Sequence, residues 1–431
     1  MTNSRQETLR KRGLLTGKNL SLAYDEPLKL VEGRMQYVFD ERGQRYLDAY
    51  NNVPHVGHCH PRVVEAACRQ LEKLNTNTRY LSDHFNDYAE ALLATMPSDL
   101  DTCFFLNSAS EANELAVRMS RQYTNRKDMI VTEAAYHGHT STLIDLSPYK
   151  HNGAGGNGAP EWVHTVPLAD GYRGEFKSDN PQTATKYARQ VADKISDLKA
   201  TGKEPAAFIA ESYPSVGGQI IFPDDYLSQV YAHVRAAGGL CIADEVQTGL
   251  GRIGTDFYAF AAQGVSPDIV VLGKPIGNGF PLAALITRNT IAEKFANGME
   301  FFSTFGGNTV ACAIGKTVLA VVQEEKLQAH ALAVGDVLLK GLHKLKDRHE
   351  MIGDVRGKGL FLGIELVKSR DSLEPAPTKT SRVVNKMKEA GVLIGTDGPL
   401  HNVLKIRPPM PFNDSNAETL LSALDEALSS T

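Results

Sequence analysis

The sequence predicts an α/β protein, with a mostly parallel, doubly wound sheet in a large domain and a smaller α+β lobe after it. Three observations carry this prediction. Short apolar, β-rich runs alternate with longer stretches of helical periodicity, the pattern of strands joined by crossover helices. Polar residues gather directly after the apolar runs, at Ser108, Tyr136, His137, Glu211, Asp244, Gln247 and Lys274. Sheets of this kind hold their ligands beyond the carboxyl ends of the strands. Finally, the last 120 or so residues change pattern, with a long helical stretch and two further strand-like runs.

TCFFLN (residues 102–107) reads as the first strand of the alternation. SEANELAVRMSRQY follows, with Leu115, Met119 and Tyr123 at helical spacing. KDMIVTEAAYHGH, EPAAFIAESYPS, GGLCIADEVQTG and PDIVVLGKPIGNG each read as a strand entering a loop. HNGAGGNGAP (151–160) is glycine-rich and reads as a surface excursion. From about Ala311 a long helix leads to DVRGKGLFLGIELV and NVLKIRPPM, read as two strands flanking further helix. We divide the chain into residues 1–64, contributing to the small domain, 65–310, the large domain, and 311–431, the C-terminal small domain.

The chain has 431 residues, 42% hydrophobic and 22% charged, with a formal net charge of -4. That length supports a large core, and the balanced charge argues against a nucleic-acid or anionic-membrane binder, which needs a concentrated basic field. Five cysteines form no C-x-x-C pair and are odd in number, which suits free thiols in a reducing compartment. The N-terminal stretch is charged throughout, and no uninterrupted apolar run approaches the ~20 residues of a membrane span. These features lead us to expect a cytoplasmic protein.

Lys274 stands in VVLGKPIGNGFPLAALI, where apolar side chains would ordinarily be buried. Burial disfavours the ammonium, lowers the pKa and exposes a nucleophilic amine, the kind that forms Schiff bases with carbonyl compounds such as pyridoxal phosphate. A lone G-K-P lysine can also snorkel to solvent, so its partners matter. Asp244 ends the run LCIA and emerges at the same sheet edge. Pyridoxal chemistry needs a carboxylate against the ring nitrogen, although an acid after a strand can equally cap a helix. Gln247 could donate to the phenolic oxygen of such a ring. Ser108 and Glu111 have capping-box spacing at a strand-to-helix turn, a common structural device that also presents amides to an anion. Tyr136, in AYHGH, offers an aromatic face for stacking.

Together, NSASEAN, AYHGH, ES at Glu211, IADEVQTGLGRIG, GKPIGNGFP and TFGGNT resemble the class III aminotransferases of the fold-type I pyridoxal-phosphate superfamily. The resemblance runs from about Asp40 to Pro411. It implies a large domain with a seven-stranded, mostly parallel sheet, pyridoxal 5'-phosphate as cofactor, and a homodimer with active sites at the subunit interface. It also implies that Lys274 holds the cofactor as a Schiff base and acts in catalysis with Asp244, which pairs with the ring nitrogen. Gln247 then approaches the phenolic oxygen, Tyr136 stacks on the ring, and Ser108 and Ala109 hold the phosphate. His137 and Glu211 join the cofactor site, and Thr304 reaches the phosphate from the neighbouring subunit. HVGHCHP, with His55, His58, Cys59 and His60, fits no common zinc spacing, and we expect no metal there.

One branch is closer. YNNVPHVGHCHP, LNTNTRYL, ESYPSVGGQI, GKPIGNGFP and NVLKIRPPM are similar to the phospho-lyases of ethanolamine phosphate and phosphohydroxylysine. That resemblance implies elimination of phosphate from a small phosphorylated amino alcohol. Where many class III members carry an arginine that clamps a carboxylate, this chain has Lys405, with Arg407 two residues on. On an extended strand the two share a face, unless one simply points to solvent. Asn51, Arg79, Lys405 and Arg407 are the candidates for holding the substrate phosphate, and Arg79 could equally serve a structural ion pair. An ω-aminotransferase is the rival reading.

Overall fold

The computed structural model describes residues 4–431. Near the start of the chain, β1 (Leu30–Arg34), β2 (Tyr37–Asp40) and β3 (Arg45–Asp48) form an antiparallel meander. Seven strands then build the main sheet. They are β4 (Thr102–Leu106), β5 (Asp128–Thr132), β6 (Val163–Val166), β7 (Pro205–Glu211), β8 (Leu240–Asp244), β9 (Ile269–Leu272) and β10 (Ala283–Thr287). Their order is β4-β10-β9-β8-β7-β5-β6, with β10 antiparallel to both neighbours and the other pairings parallel. The C-terminal part adds β11 (Ile352–Lys358), β12 (Phe361–Leu366), β13 (Val392–Leu393), β14 (Gly395–Asp397) and β15 (Val403–Ile406).

The main sheet is buried on both faces, which explains its near-continuous apolar runs. Side chains alternate along each strand. Val131, Ile209, Ile242 and Val271 pack beneath the helix Ala109–Thr124, against Ala112, Leu115, Ala116 and Met119. On the opposite face, Ile130, Phe208 and Cys241 meet Tyr187, Val191, Tyr226 and Val230 of the helices Thr183–Ala200 and Tyr226–Ala236. Val270, Leu272, Ala284 and Ile286 join a third cluster with the helices Thr309–Glu324 and Leu327–Arg348. Each fully buried aliphatic side chain stabilises the fold by about 1.5–3 kcal/mol, so helices on both faces are what make such strands favourable.

The seven-stranded, mostly parallel architecture is the one expected. Several elements differ from the sequence reading. DVRGKGLFLGIELV is not one strand but the hairpin β11–β12, turning where Gly357 and Gly359 take positive φ. The helical stretch near Ala311 begins at Thr309 and is broken at Lys326, which adopts a left-handed backbone conformation. β11, β12, β15 and β14 form one antiparallel sheet, while β13 crosses to pair in parallel with β3. Residues 152–159 lie exposed on the surface. Among the described residues no helix is long and apolar enough to cross a membrane.

Candidate active site

The sheet register brings the candidate residues to one edge. Glu211 is opposite Asp244 across β7 and β8, and Asp244 is opposite Val271 of β9. Lys274 therefore lies just past the same edge. It is not on the strand itself, because β9 ends at Leu272 and Lys274 opens a short 3-10 turn, Lys274–Gly277. Gly273 makes that exit possible: a Cβ there would stand 2.9 Å from the Cβ of Ala109 at the adjoining helix start.

Ser108, Ala109, Tyr136, His137, Glu211, Asp244, Gln247 and Lys274 all line one cavity of about 390 Å³, together with Asn113 and Val246. Lys274 is partly accessible within it. Desolvation lowers its pKa and the Arg407 charge lowers it further, while Asp244, Glu211 and Asp397 oppose the shift. No hydrogen bond or ion pair holds its Nζ among the described residues. The cause argued from sequence, an amine deprived of water, is the leading one here.

Asp244 is braced from two sides. Asn113 Nδ2 donates to its Oδ2 at 3.0 Å and His137 Nδ1 donates to the same atom at 2.8 Å, while the N–H of Val246 reaches Oδ1 at 3.2 Å. Gln247 Oε1 accepts from Asn52 Nδ2 at 2.8 Å and from Arg407 Nη1, which leaves the amide NH₂ free to donate. Ser108 caps the helix Ala109–Thr124 in a capping box with Glu111. The Glu111 carboxylate also takes up the N–H groups of Asn107 and Ser108. The N–H groups of Ala109 and Ser110 keep no partner among the described residues, so a helix N-terminus faces the cavity with open donors. Gly138 completes the cup. With φ +148, it passes so close to Ser110 and Leu143 that a Cβ would fall 2.6 Å and 2.5 Å from their side chains.

Beyond the cavity lining, two buried cations come from the C-terminal part, close enough for the Arg407 charge to act on Lys274 and for Lys274 to act on Lys405. Lys405, on β15, donates to Asp397 Oδ2 at 2.9 Å and lies 5.0 Å from the Tyr50 ring centroid. Burial and the Arg407 charge bring its pKa down to about 8. Arg407 Nη1 donates to Ser215 Oγ at 2.6 Å as well as to Gln247, and its Nε is buried without a partner. Neither cation points to open solvent.

Asn51, Arg79 and Thr304, like Lys405 and Arg407, lie outside the cavity lining, and these three are at the surface. Asn51 is exposed, its N–H tied to Asp48 at 2.9 Å. Arg79 is an exposed residue that pairs with Glu300 at 3.2 Å and stacks over Phe302 at 4.3 Å. Thr304 is exposed on the same face. In HVGHCHP, each histidine has a different partner. His55 donates through Nε2 to the Leu250 carbonyl and accepts from Arg252; His58 meets Asp48, and His60 meets Glu325. Their side chains do not converge. Sequence reasoning missed Asn113, Asn52, Ser215, Asp397 and Tyr50. For Asn113 a signal existed, since it is an asparagine inside an otherwise apolar helix face.

Comparison with known proteins settles the family. The model for class III aminotransferases matches residues 22–428. The chain belongs to the class III aminotransferases. Within this family, it is 47% identical over 431 residues to a Drosophila melanogaster protein named alanine–glyoxylate aminotransferase 2-like, covering 99% of this chain and 87% of that one. It is 43% identical to ethanolamine-phosphate phospho-lyase homolog 1 of Caenorhabditis elegans, covering 99% of this chain and 94% of the relative. Among solved structures, an Arthrobacter phospholyase in complex with phosphoethanolamine superposes with a TM-score of 0.94 at 38% identity, covering 98% and 100% of the two chains. A class III aminotransferase is a fold-type I enzyme that uses pyridoxal 5'-phosphate. The cavity suits that group, with open helix amides for an anion, a braced carboxylate, an unpaired lysine amine and an aromatic side chain around one space.

Proposed function

We propose that this class III enzyme is a phospho-lyase that eliminates phosphate from ethanolamine phosphate to give acetaldehyde, ammonia and inorganic phosphate. The observation that carries this reading is the pair of buried cations, Lys405 and Arg407, near enough to Lys274 for the charges to act on one another. Two fixed positive charges suit a dianionic phosphate, and the lysine lacks the planar fork that grips a carboxylate. The likeness to the Caenorhabditis phospho-lyase homolog and to the Arthrobacter phospholyase supports it.

In this reading Lys274 would carry the cofactor and Asp244 would pair with its ring nitrogen. Gln247 would donate to its phenolic oxygen, Tyr136 would stack on it, and the amides of Ala109 and Ser110 with Ser108 would hold its phosphate. When bound, the cofactor supplies an electron-withdrawing ring that acidifies the C–H bond beside the substrate amine. Lys274 then takes that proton. Lys405 and Arg407 hold the substrate phosphate so that its C–O bond breaks at the neighbouring carbon. The unsaturated amine released takes up water and splits into aldehyde and ammonia.

We also propose a homodimer. The face bearing Thr304 exposes Tyr80, Leu81, Met299, Phe302 and Phe305, each at least 40% accessible, a patch that suits burial against a second copy. Such packing would bring Thr304 to the partner's cofactor phosphate, and Arg79 towards the partner's cavity. Five free cysteines, with Cys241 and Cys312 buried, support a cytoplasmic location.

The test is incubation with ethanolamine phosphate and no keto acid. Sustained release of phosphate, acetaldehyde and ammonia supports the lyase. One stoichiometric conversion to the aminated cofactor would instead mark an aminotransferase, the activity named for the Drosophila relative. Parallel incubation with phosphohydroxylysine would show which phosphorylated amine is preferred.

A further inference from the structure

Glu211 ends β7 against the cavity, and its two carboxyl oxygens are treated differently. Oε2 accepts the N–H of Ser215 at 3.1 Å. Oε1 is buried and has no hydrogen-bond partner, in a residue only 3% exposed. The cations that could neutralise it are committed elsewhere, Lys405 to Asp397 and Arg407 to Ser215 and Gln247. Charged groups reach it from each surrounding element: Asp244 from β8, Asp397 from β14, Lys274 from the 3-10 turn and Arg407 from just past β15. Burial, then the Asp244 charge, push its pKa up to about 8, with Asp397 adding to the rise and Lys274 opposing it. Near neutral pH this favours the protonated acid, with one oxygen unengaged in the cavity that Lys274 also lines.

The elimination requires such a group. If the C–O bond of a phosphate monoester dianion breaks without a proton, the product is the phosphate trianion, a far poorer leaving group than hydrogen phosphate. We propose that Glu211 is the general acid that delivers a proton to the ester oxygen as phosphate departs. This rests on the phospho-lyase reading of the same site.

The step balances. The proton on the amine-bearing carbon passes to Lys274, and the C–O bond breaks with its electron pair staying on oxygen. The Glu211 proton joins that oxygen and hydrogen phosphate leaves. Glu211 is left as a carboxylate and Lys274 as an ammonium. Water entering behind the product carries a proton from the second to the first, restoring both. Transamination has no leaving group and makes no use of this acid.

The experiment compares wild-type holoenzyme with Glu211→Gln, which preserves shape but cannot donate a carboxyl proton. At saturating ethanolamine phosphate, where the Lys405 ionisation that acts on KM drops out, wild-type phosphate release should fall as pH rises through about 8, as Glu211 ionises. Glu211→Gln should release phosphate about 10²-fold more slowly, the low end for general acid catalysis, and should lose that pH limb. With 2-aminoethyl hydrogen sulfate, whose sulfate leaves without a proton, the variant should retain whatever rate the wild type shows. Infrared difference spectra supply a readout independent of turnover: a protonated-carboxyl band titrating near pH 8 in the wild type and missing in the variant. Variant phosphate release within about threefold of wild type, persistence of the pH limb, or absence of the band would each overturn the assignment. A wild type that transaminates but never releases phosphate would overturn the lyase reading first, and this inference with it.

Discussion

Lys274 and Lys405 are both lysines enclosed in the same part of the molecule, yet their surroundings differ. Lys405 has a carboxylate 2.9 Å away and the Tyr50 ring beneath it. Lys274 has neither a hydrogen bond nor an ion pair among the described residues, and burial acts on it with only distant carboxylates in opposition. A committed ammonium can attract and position an anion, whereas an uncommitted amine can form and break bonds. The same contrast separates the cavity lining from the cations beyond it. The lining keeps open donors at the Ala109 and Ser110 amides and the Gln247 NH₂, while the cations beyond it are tied to Asp397, Ser215 and the Gln247 side-chain oxygen. Chemistry is expected where partners are missing, and positioning or stability where they are present.

The largest expected effect breaks the contrast at its centre. Lys274→Ala should lower turnover by about 10⁴-fold, keep the circular dichroism spectrum of the wild type, and bind cofactor only non-covalently. Borohydride treatment followed by denaturing gel filtration measures the last point. Lys405→Ala should act on binding, raising KM for ethanolamine phosphate by about 10- to 100-fold, since hydrogen bonds to charged groups contribute about 1.5–3 kcal/mol. Because Lys405 loses its proton as pH rises through about 8, wild-type KM should climb above that pH, and this climb should vanish in the variant.

Smaller effects sharpen the comparison from the side of fully partnered groups. His55 bridges the Leu250 carbonyl and the buried Arg252 guanidinium, and burial pushes its pKa down to about 3. It is neutral in the fold, so stability is complete above the ordinary histidine value of about 6.5 and is lost as pH falls toward 3. His55→Ala should cost about 1–3 kcal/mol in urea unfolding at pH 7 through unpaired buried groups, and should flatten the loss on acidification. Ser108→Ala should be the mildest, about 1 kcal/mol from the lost cap, because Glu111 still holds the amides of Asn107 and Ser108.

Much of the fold could be read from the sequence because buried parallel strands are apolar throughout and end in polar residues. That is why β4, β5, β7, β8 and β9 were visible. β1–β3 are short and partly exposed, without a continuous apolar run, and β10 follows the glycine-rich turn after Lys274 with no separator beyond Pro281. The β11–β12 hairpin was hidden because its turn is only two residues long, although Gly357 and Gly359 marked it. Around the site, Lys274 and Asp244 stood out as charges following apolar strands. Asn113 and Asp397 did not, because their roles depend on partners brought in by other elements: Asp244 for Asn113, and Lys405 and Ser215 for Asp397. Arg79 shows the reverse: a guanidinium chosen for its chemistry sits at the surface, stacked on Phe302.

The two-residue pairing of β13 with β3, Val392 opposite Leu47 and Leu393 opposite Asp48, joins distant parts of the polypeptide. During synthesis the β3 edge must wait, its backbone groups uncovered, until nearly everything after it has emerged. Ordering of this region is thus bound to be among the last events of maturation, and a ribosome-stalled chain ending before residue 392 should leave that edge open to proteases or to a neighbouring copy.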